Sequence, residues 1–323
     1  PCPIRESIMP KPGTGPHRKS NNGMGMAPVR GQGRKGTGIR DSPRRPHSRD
    51  HSRSVPGNLG YEKELLSPHR ATGGGAAATG ASDTAAAITG LGLSIGDGFT
   101  AVGSGSQTVS LVPQPTGGIS HGTHLFATAG APGSGWYRIG AVQNAGLALR
   151  QALAWLDATV DQANAALDQG VQASDPLFVP YVAGERTPFV DPALRGAWLG
   201  LGLDTSREAM LRSVVEGVAH AVALGIDAVL GAGASLPDPL PLIGGGSVDA
   251  RFRQLIADAS GRRLAPRDQP DAAVVGAAFL ALGVSAPPTS DADDVIEPLN
   301  SAHVLLADRQ QRLVEYVQQG YER

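Results

Sequence analysis

One carboxylate stands alone in GASDTAAAITG, residues 80–90. Asp83 is embedded in Ala, Gly, Ser and Thr, and Ile88 is the only large side chain. Two uses fit those surroundings. Asp is a favoured N-cap, so it can open a helix that starts at Thr84 and runs through the alanines. Alternatively, the small neighbours let backbone and substrate approach a reactive carboxylate. Two glycine turns follow at a distance. GSGS, 103–106, joins two β-rich stretches, and Gly103, Ser104 and Gly105 can turn backbone N–H groups onto an anion. The same residues suit an ordinary hairpin. IGGGSVDARFRQLIADASG, 243–261, drives a strand through Gly244, Gly245 and Gly246 into a helix. Glycines allow close ligand approach, and a helix N-terminus favours negative charge. A tight strand-to-helix connection needs the same residues.

Other chemistries find less support. The chain has neither a Gly-Lys-Ser/Thr phosphate loop nor a Gly-x-Gly-x-x-Gly fingerprint. The eight histidines include no HExxH or CxxC-like metal arrangement, and His121, His124 and His220 stand isolated. GSGSQ lacks the Gly-x-Ser-x-Gly spacing of a hydrolase elbow.

The elements that must position these residues alternate. FTAVG (99–103), QTVSLV (107–112) and WYRIGAV (136–142) read as strands. Residues 144–170 carry apolar side chains at helical spacing, as one or two helices. A capping-box spacing, Thr205 to Glu208, predicts a helix that fades at Gly225 or Gly231. PLPLIGGG (239–246) reads as a short strand. Helices are expected from Asp249 to Ser260, from Asp271 to Gly283, and over the last twenty or so residues, with a surface loop at 284–302. Strands alternating with helices predict an α/β fold.

Charge divides the chain sharply. Residues 1–72 carry 14 Lys+Arg and 5 Asp+Glu, whereas residues 73–323 carry 14 and 24; all four lysines lie in the first part. That part shows no periodicity of 2 or 3.6, so it is expected to be disordered. It reads as a basic interaction tail, an inert tail, or the product of a shifted reading frame. The single cysteine, Cys2, excludes an internal disulfide framework. No apolar run is read as reaching the ~18–20 residues of a membrane span, and the opening residues lack a secretory h-region. A cytoplasmic protein is expected.

Taken in order, six stretches resemble the FGGY carbohydrate kinases, most closely their xylulokinase branch. They are GASDTAAAITGLGLSIGDGFTAVGSGSQ, WYRIGAVQNAGLALR, FVPYVAGERTPFVDPALRGAWLGL, MLRSVVEGVAHA, LPLIGGGSVDARFRQLIADASG and DAAVVGAAFLALG. The resemblance implies an RNase H-like domain of the actin/hexokinase ATPase type, with ATP and Mg²⁺ as cofactors. It implies a pentulose acceptor, with no nucleic acid or membrane partner and a homodimer left open. Asp83 falls on the family's catalytic base. Gly103, Ser104 and Gly105 fall on a phosphate loop, and Gly244, Gly245 and Gly246 on the adenosine loop. Glu185, Arg186 and Thr187 of GERTP fall close to the cleft, with contacts unassigned. No metal-ligating residue is singled out.

The resemblance divides the chain into a disordered basic tail (1–72), the end of the family's N-terminal domain with the catalytic Asp and phosphate loop (73–130), the C-terminal domain (131–290) and a C-terminal helix (291–323). The Asp-x-Gly-Thr turn that opens the family's first domain is absent before Asp83. A sugar kinase with the remnant of its first domain, and with little turnover by the chain as written, is therefore expected. The alternative is a nucleotide-binding module without catalysis.

Overall fold

Six strands form one sheet, in the order β10 (Leu264–Pro266), β9 (Leu240–Ile243), β3 (Gly98–Val102), β4 (Ser106–Val112), β6 (Trp136–Val142), β5 (His124–Ala127). The structure, a computed structural model, describes residues 69–70, 76–77, 81–115, 120–129, 135–269, 271–284 and 294–320. Two-residue strands β1 (His69–Arg70) and β2 (Ala76–Ala77) pair with each other, as do β7 (Leu177–Val179) and β8 (Ala197–Leu199). The expected disorder and reading-frame origin of 1–72 fall almost wholly outside the described residues.

The strands β3, β4 and β6 run antiparallel in succession, and β9 and β10 extend the sheet in parallel beyond β3. Strands from both sides of position 130 thus share one sheet. The antiparallel meander needs no helical crossover, whereas the parallel β3–β9 pair does. That crossover contains helices α2 (Gly146–Trp155), α3 (Val160–Ala166) and α4 (Arg207–Gly231).

Helices cover both faces. On one, α2, α3, α4 and α5 (Ala250–Ser260) build the larger core against Val102, Leu240, Leu242 and Leu264. On the other, α1 (Asp83–Gly90) and α6 (Ala272–Leu282) pack over Phe99, Val109, Leu111 and Ile139. The α1–α6 crossing is close because both partners are glycines. A Cβ at Gly276 would lie 1.7 Å from the Ala86 carbonyl oxygen, and one at Gly90 would lie 2.0 Å from that of Ala272.

By length and composition alone α4 could cross a membrane, which corrects the expectation that no stretch qualifies; 83% of its most apolar window is buried in this protein. It is a core helix, apolar nearly all round because it is covered nearly all round. Its buried polar groups are paired. Glu216 accepts from His220 Nε2 at 3.0 Å and from Arg309 Nη2 at 2.7 Å, and Arg309 Nε also bonds it. Arg212 grips Asp175 with two bonds of 2.6 and 2.8 Å. Arg309 lies on the C-terminal helix α7 (Asn300–Gln319), so its bonds to Glu216 fasten α7 to the core.

Two caps differ from expectation. Ser82, not Asp83, caps α1: its hydroxyl accepts from Ala85 N, and the helix starts at Asp83. Ser206, not Thr205, caps α4, while the Thr205 hydroxyl accepts from Gly202 N. The α5 boundaries are as expected, with Asp249 as N-cap and Gly261 in the left-handed conformation at its end.

Candidate functional site

Parallel neighbours send their following turns out of the same sheet edge. In β3 and β9, Thr100 lies opposite Leu242 and Ala101 opposite Ile243. The 103–105 and 244–246 turns therefore emerge side by side at the carboxyl ends of the two strands, where ligands of open α/β sheets bind. Gly244 holds φ +98°, and a Cβ there would lie 2.4 Å from the Val102 carbonyl oxygen. A side chain at 244 would thus push the two turns apart. Gly245 differs: a Cβ added to it would meet nothing within 4 Å, so its backbone faces open space.

A third element joins them. The β6–α2 junction donates Gly146 N to Gly103 O at 3.0 Å and Leu147 N to Ser104 O at 2.8 Å. The Gly103 N–H is spent on Gly105 O at 2.8 Å, so it is closed to a ligand. The N–H groups of Ser104 and Gly105 have no partner among the described residues. Arg150 of α2 donates to the Ser104 hydroxyl at 3.3 Å. The start of α5 is already supplied with a carboxylate, because Asp249 accepts from Arg251 N at 2.9 Å. Hydrogen bonds from Arg251 hold the Asp249 carboxyl below its usual range. What the 244–246 turn offers a ligand is thus its open backbone rather than a vacant helix end.

Asp83 reaches this edge through Thr84. Its Oδ1 accepts from Thr84 N at 2.7 Å, and the Thr84 hydroxyl donates to Gln107 Oε1 at 3.0 Å. Gln107 stands on β4 between Ala101 and Ala141 and lines a cavity of about 460 Å³ together with Gly103, Ser104 and Gly105. The Asp83 side is also marked by Tyr137, whose phenol burial pushes up, with the Asp83 charge adding and the Ser82 hydrogen bond opposing.

GERTP forms the remaining wall. Glu185 is buried, and its carboxylate accepts from Gln143 N at 2.6 Å, Arg186 N at 2.7 Å and Asn144 Nδ2 at 3.0 Å. Burial pushes its carboxyl up, and those bonds act against the shift. Thr187 pairs with Ala141 through N–H to carbonyl at 3.1 Å, accepts Ala141 N at 2.9 Å, and donates to Gly122 O at 2.8 Å. These two side chains therefore fix the segment to the end of β6. Arg186 lines the cavity itself. A second cavity of about 340 Å³, containing His124 and Val190, adjoins the first across Gln143 and Arg186.

Of the residues singled out from sequence, the structure gathers Gly103, Ser104 and Gly105 on this cavity, with Gly244 and Gly246 packed on Val102 beside them. Asp83 is one hydrogen-bonded link away. Sequence reasoning missed Thr84, Gln107 and Arg150. Gln107, directly after GSGS, was the available signal. His121 pairs with the Ser120 hydroxyl at 2.7 Å, and His220 is buried on Glu216, so both are structural.

The match to known proteins follows this geometry. The C-terminal domain of the FGGY family of carbohydrate kinases matches residues 122–283. The chain belongs to that family. It is 36% identical over 149 residues to the xylulose kinase of Escherichia coli (strain K12), covering 45% of this chain and 30% of that protein. It is 31% identical over 207 residues to the xylulose kinase of Streptomyces coelicolor, covering 64% and 41%. The solved structure of a xyloylose kinase from Brucella ovis superposes with a TM-score of 0.68 at 27% identity, over 76% of this chain and 52% of that one. The fold is the actin/hexokinase ATPase type expected from sequence, and the chain spans 30 to 41% of the length of these two curated relatives.

Family membership implies Mg²⁺. Among the described residues no group of three His, Cys, Asp or Glu side chains could hold a metal ion. Mg²⁺ keeps its waters and binds through one or two carboxylates plus substrate phosphates. Asp83 would be a carboxylate to hold it, and the ion would supply neutralisation of phosphate charge.

Proposed function

We propose that the chain carries the nucleotide side of an ATP-dependent xylulokinase-type site. Asp83 takes the proton from a pentulose hydroxyl; the freed oxygen forms a bond to the γ-phosphorus as the β–γ bridging bond breaks, and ADP leaves. The product from D-xylulose would be D-xylulose 5-phosphate, in a cytoplasmic setting. The single observation carrying this reading is that two glycine turns leave adjacent parallel strands at one edge, with Asp83 bonded through Thr84 to Gln107 of the same cavity. The match covers 30 to 41% of the length of the two curated relatives, and slow turnover by this chain is part of the proposal. Orientation alone supplies several kcal/mol of a bimolecular barrier.

Calorimetric titration of ATP with Mg²⁺ tests the nucleotide side. Wild type binds, and Gly245→Val abolishes binding with an unchanged melting temperature, because its side chain enters open space. Equal affinity in both proteins contradicts the assignment. A second reading, a nucleotide-binding module without catalysis, draws on the short match to the relatives. It differs in the coupled ADP-release assay with D-xylulose: it requires wild type to equal Asp83→Asn, whereas slow catalysis leaves wild type above it. Turnover at an ordinary ~1–100 s⁻¹ would refute the expected impairment.

A further inference from the structure

Arg186 has a fixed backbone and an uncommitted side chain. Its N–H donates to Glu185 Oε1 at 2.7 Å, and its carbonyl accepts from Val190 N at 2.7 Å. The guanidinium is exposed and makes no hydrogen bond or ion pair among the described residues. That is uncommon among the described arginines. Arg138, Arg212, Arg251, Arg263 and Arg309 all have side-chain partners, and Arg195 and Arg207 bond carbonyls. Arg312, on α7, shares the uncommitted state. The cavity that holds the 103–105 turn has ten lining residues, and Arg186 is the only ionisable one.

Strand order gives this cation a place along a bound nucleotide. Reading across the sheet edge, the 244–246 turn follows β9, the 103–106 turn joins β3 to β4, and Gln143 with the GERTP segment lies at the end of β6. A nucleotide laid along this edge with adenosine at β9 has its inner phosphates at the β3–β4 turn. Its terminal phosphate then arrives at β6. There it meets the Arg186 guanidinium, with Gln107 and the Asp83 link on the intervening strand β4. We infer that Arg186 binds the γ-phosphate of ATP and neutralises charge on it during transfer. Arginine suits that task, since its planar fork matches phosphate oxygens in two parallel bonds. The inference rests on the nucleotide site proposed above.

The test compares ATP with ADP on the full 323-residue chain. Calorimetry with Mg²⁺ is run on wild type, Arg186→Gln, Arg186→Lys and, as a control for lost charge, Arg312→Gln. Arg186→Gln is expected to weaken ATP binding about tenfold or more, the scale of a charge-assisted bond to phosphate. Its ADP affinity should stay within about twofold of wild type on the same scale. Arg186→Lys should fall between, and Arg312→Gln should match wild type for both nucleotides. The ADP measurement doubles as the check that each variant is folded. An unchanged ATP-to-ADP affinity ratio in Arg186→Gln overturns the inference while leaving the site intact. Equal weakening of ATP and ADP also overturns it, since Arg186 would then serve the inner phosphates. Wild type binding neither nucleotide overturns the proposed site and this inference with it.

Discussion

Replacing Gly276 by Ala tests how Asp83 is held. Gly276 lies in α6, and its missing Cβ is where α1 passes. A Cβ there would stand 1.7 Å from Ala86 O, 2.6 Å from Ala86 C and 2.7 Å from Gly90 N, all backbone atoms. No side-chain rotation relieves such a contact, so the helices must separate by about 1.5 Å or more to reach ordinary contact distance. Two effects compete. Ala gains about 1 kcal/mol over Gly in a helix interior. Overpacking costs about 1–3 kcal/mol and more when only backbone can move. With the overlap this deep the second wins, and a net loss of about 2 kcal/mol lowers the melting temperature by about 4–8 °C for a body of this size. Thermal unfolding by circular dichroism measures it. Val274→Ala, exposed on the same helix, serves as control and should change stability by less than about 0.5 kcal/mol. The displaced α1 also carries Asp83, so phosphoryl transfer should fall further than stability does; about 1 Å of misplacement is worth ~10²-fold. A Gly276→Ala protein that melts at or above wild type would refute the close-crossing account.

Two further outcomes follow from single residues. Gly244→Ala, at φ +98° and with its Cβ 2.4 Å from Val102 O, should destabilise by about 2 kcal/mol or more and lose ATP affinity; this contrasts with Gly245→Val, which should lose affinity alone, and melting curves with calorimetry separate the two. Burial pushes Glu216 up, but hydrogen bonds and charge from His220 and Arg309 outweigh it, so its carboxyl is held below the ordinary value of 4.5. Its stabilisation is therefore full above about pH 4.5 and is lost as pH falls through the lower folded value; in denaturant titrations Glu216→Gln should cost about 3–5 kcal/mol at pH 7, leaving Arg309 buried without its partner, and flatten that acid limb.

The most legible elements carried their own punctuation. For α5 the sequence shows both ends, Asp249 as cap and Gly261 as stop, and the structure keeps both. At α1 and α4 two adjacent polar residues compete to cap, and Ser82 and Ser206 win over the expected Asp83 and Thr205. Local preference could not decide this, because both choices satisfy an orphan N–H and tertiary packing fixes where the first turn begins. Strand β5, HLFA, and the three-residue strands β7 and β10 are too short for a period to emerge. The glycine turns could be found as turns, but their adjacency depends on β3 pairing with β9 across some 140 intervening residues. Arg186 was visible only as part of GERTP. Its importance lies in Glu185 and Thr187 spending their side chains on β6 and its neighbours while its own stays free, a division of labour no spacing encodes.

A crystal structure of the chain with a non-hydrolysable ATP analogue and Mg²⁺ tests the central claim most directly. The account predicts adenosine against Gly245, inner phosphates on the free N–H groups of Ser104 and Gly105, and the terminal phosphate between Arg186 and the Asp83 carboxylate. A nucleotide seated elsewhere, such as the groove of about 590 Å³ where Leu255 of α5 faces Leu305 of α7, would contradict it, as would a terminal phosphate pointing away from Asp83.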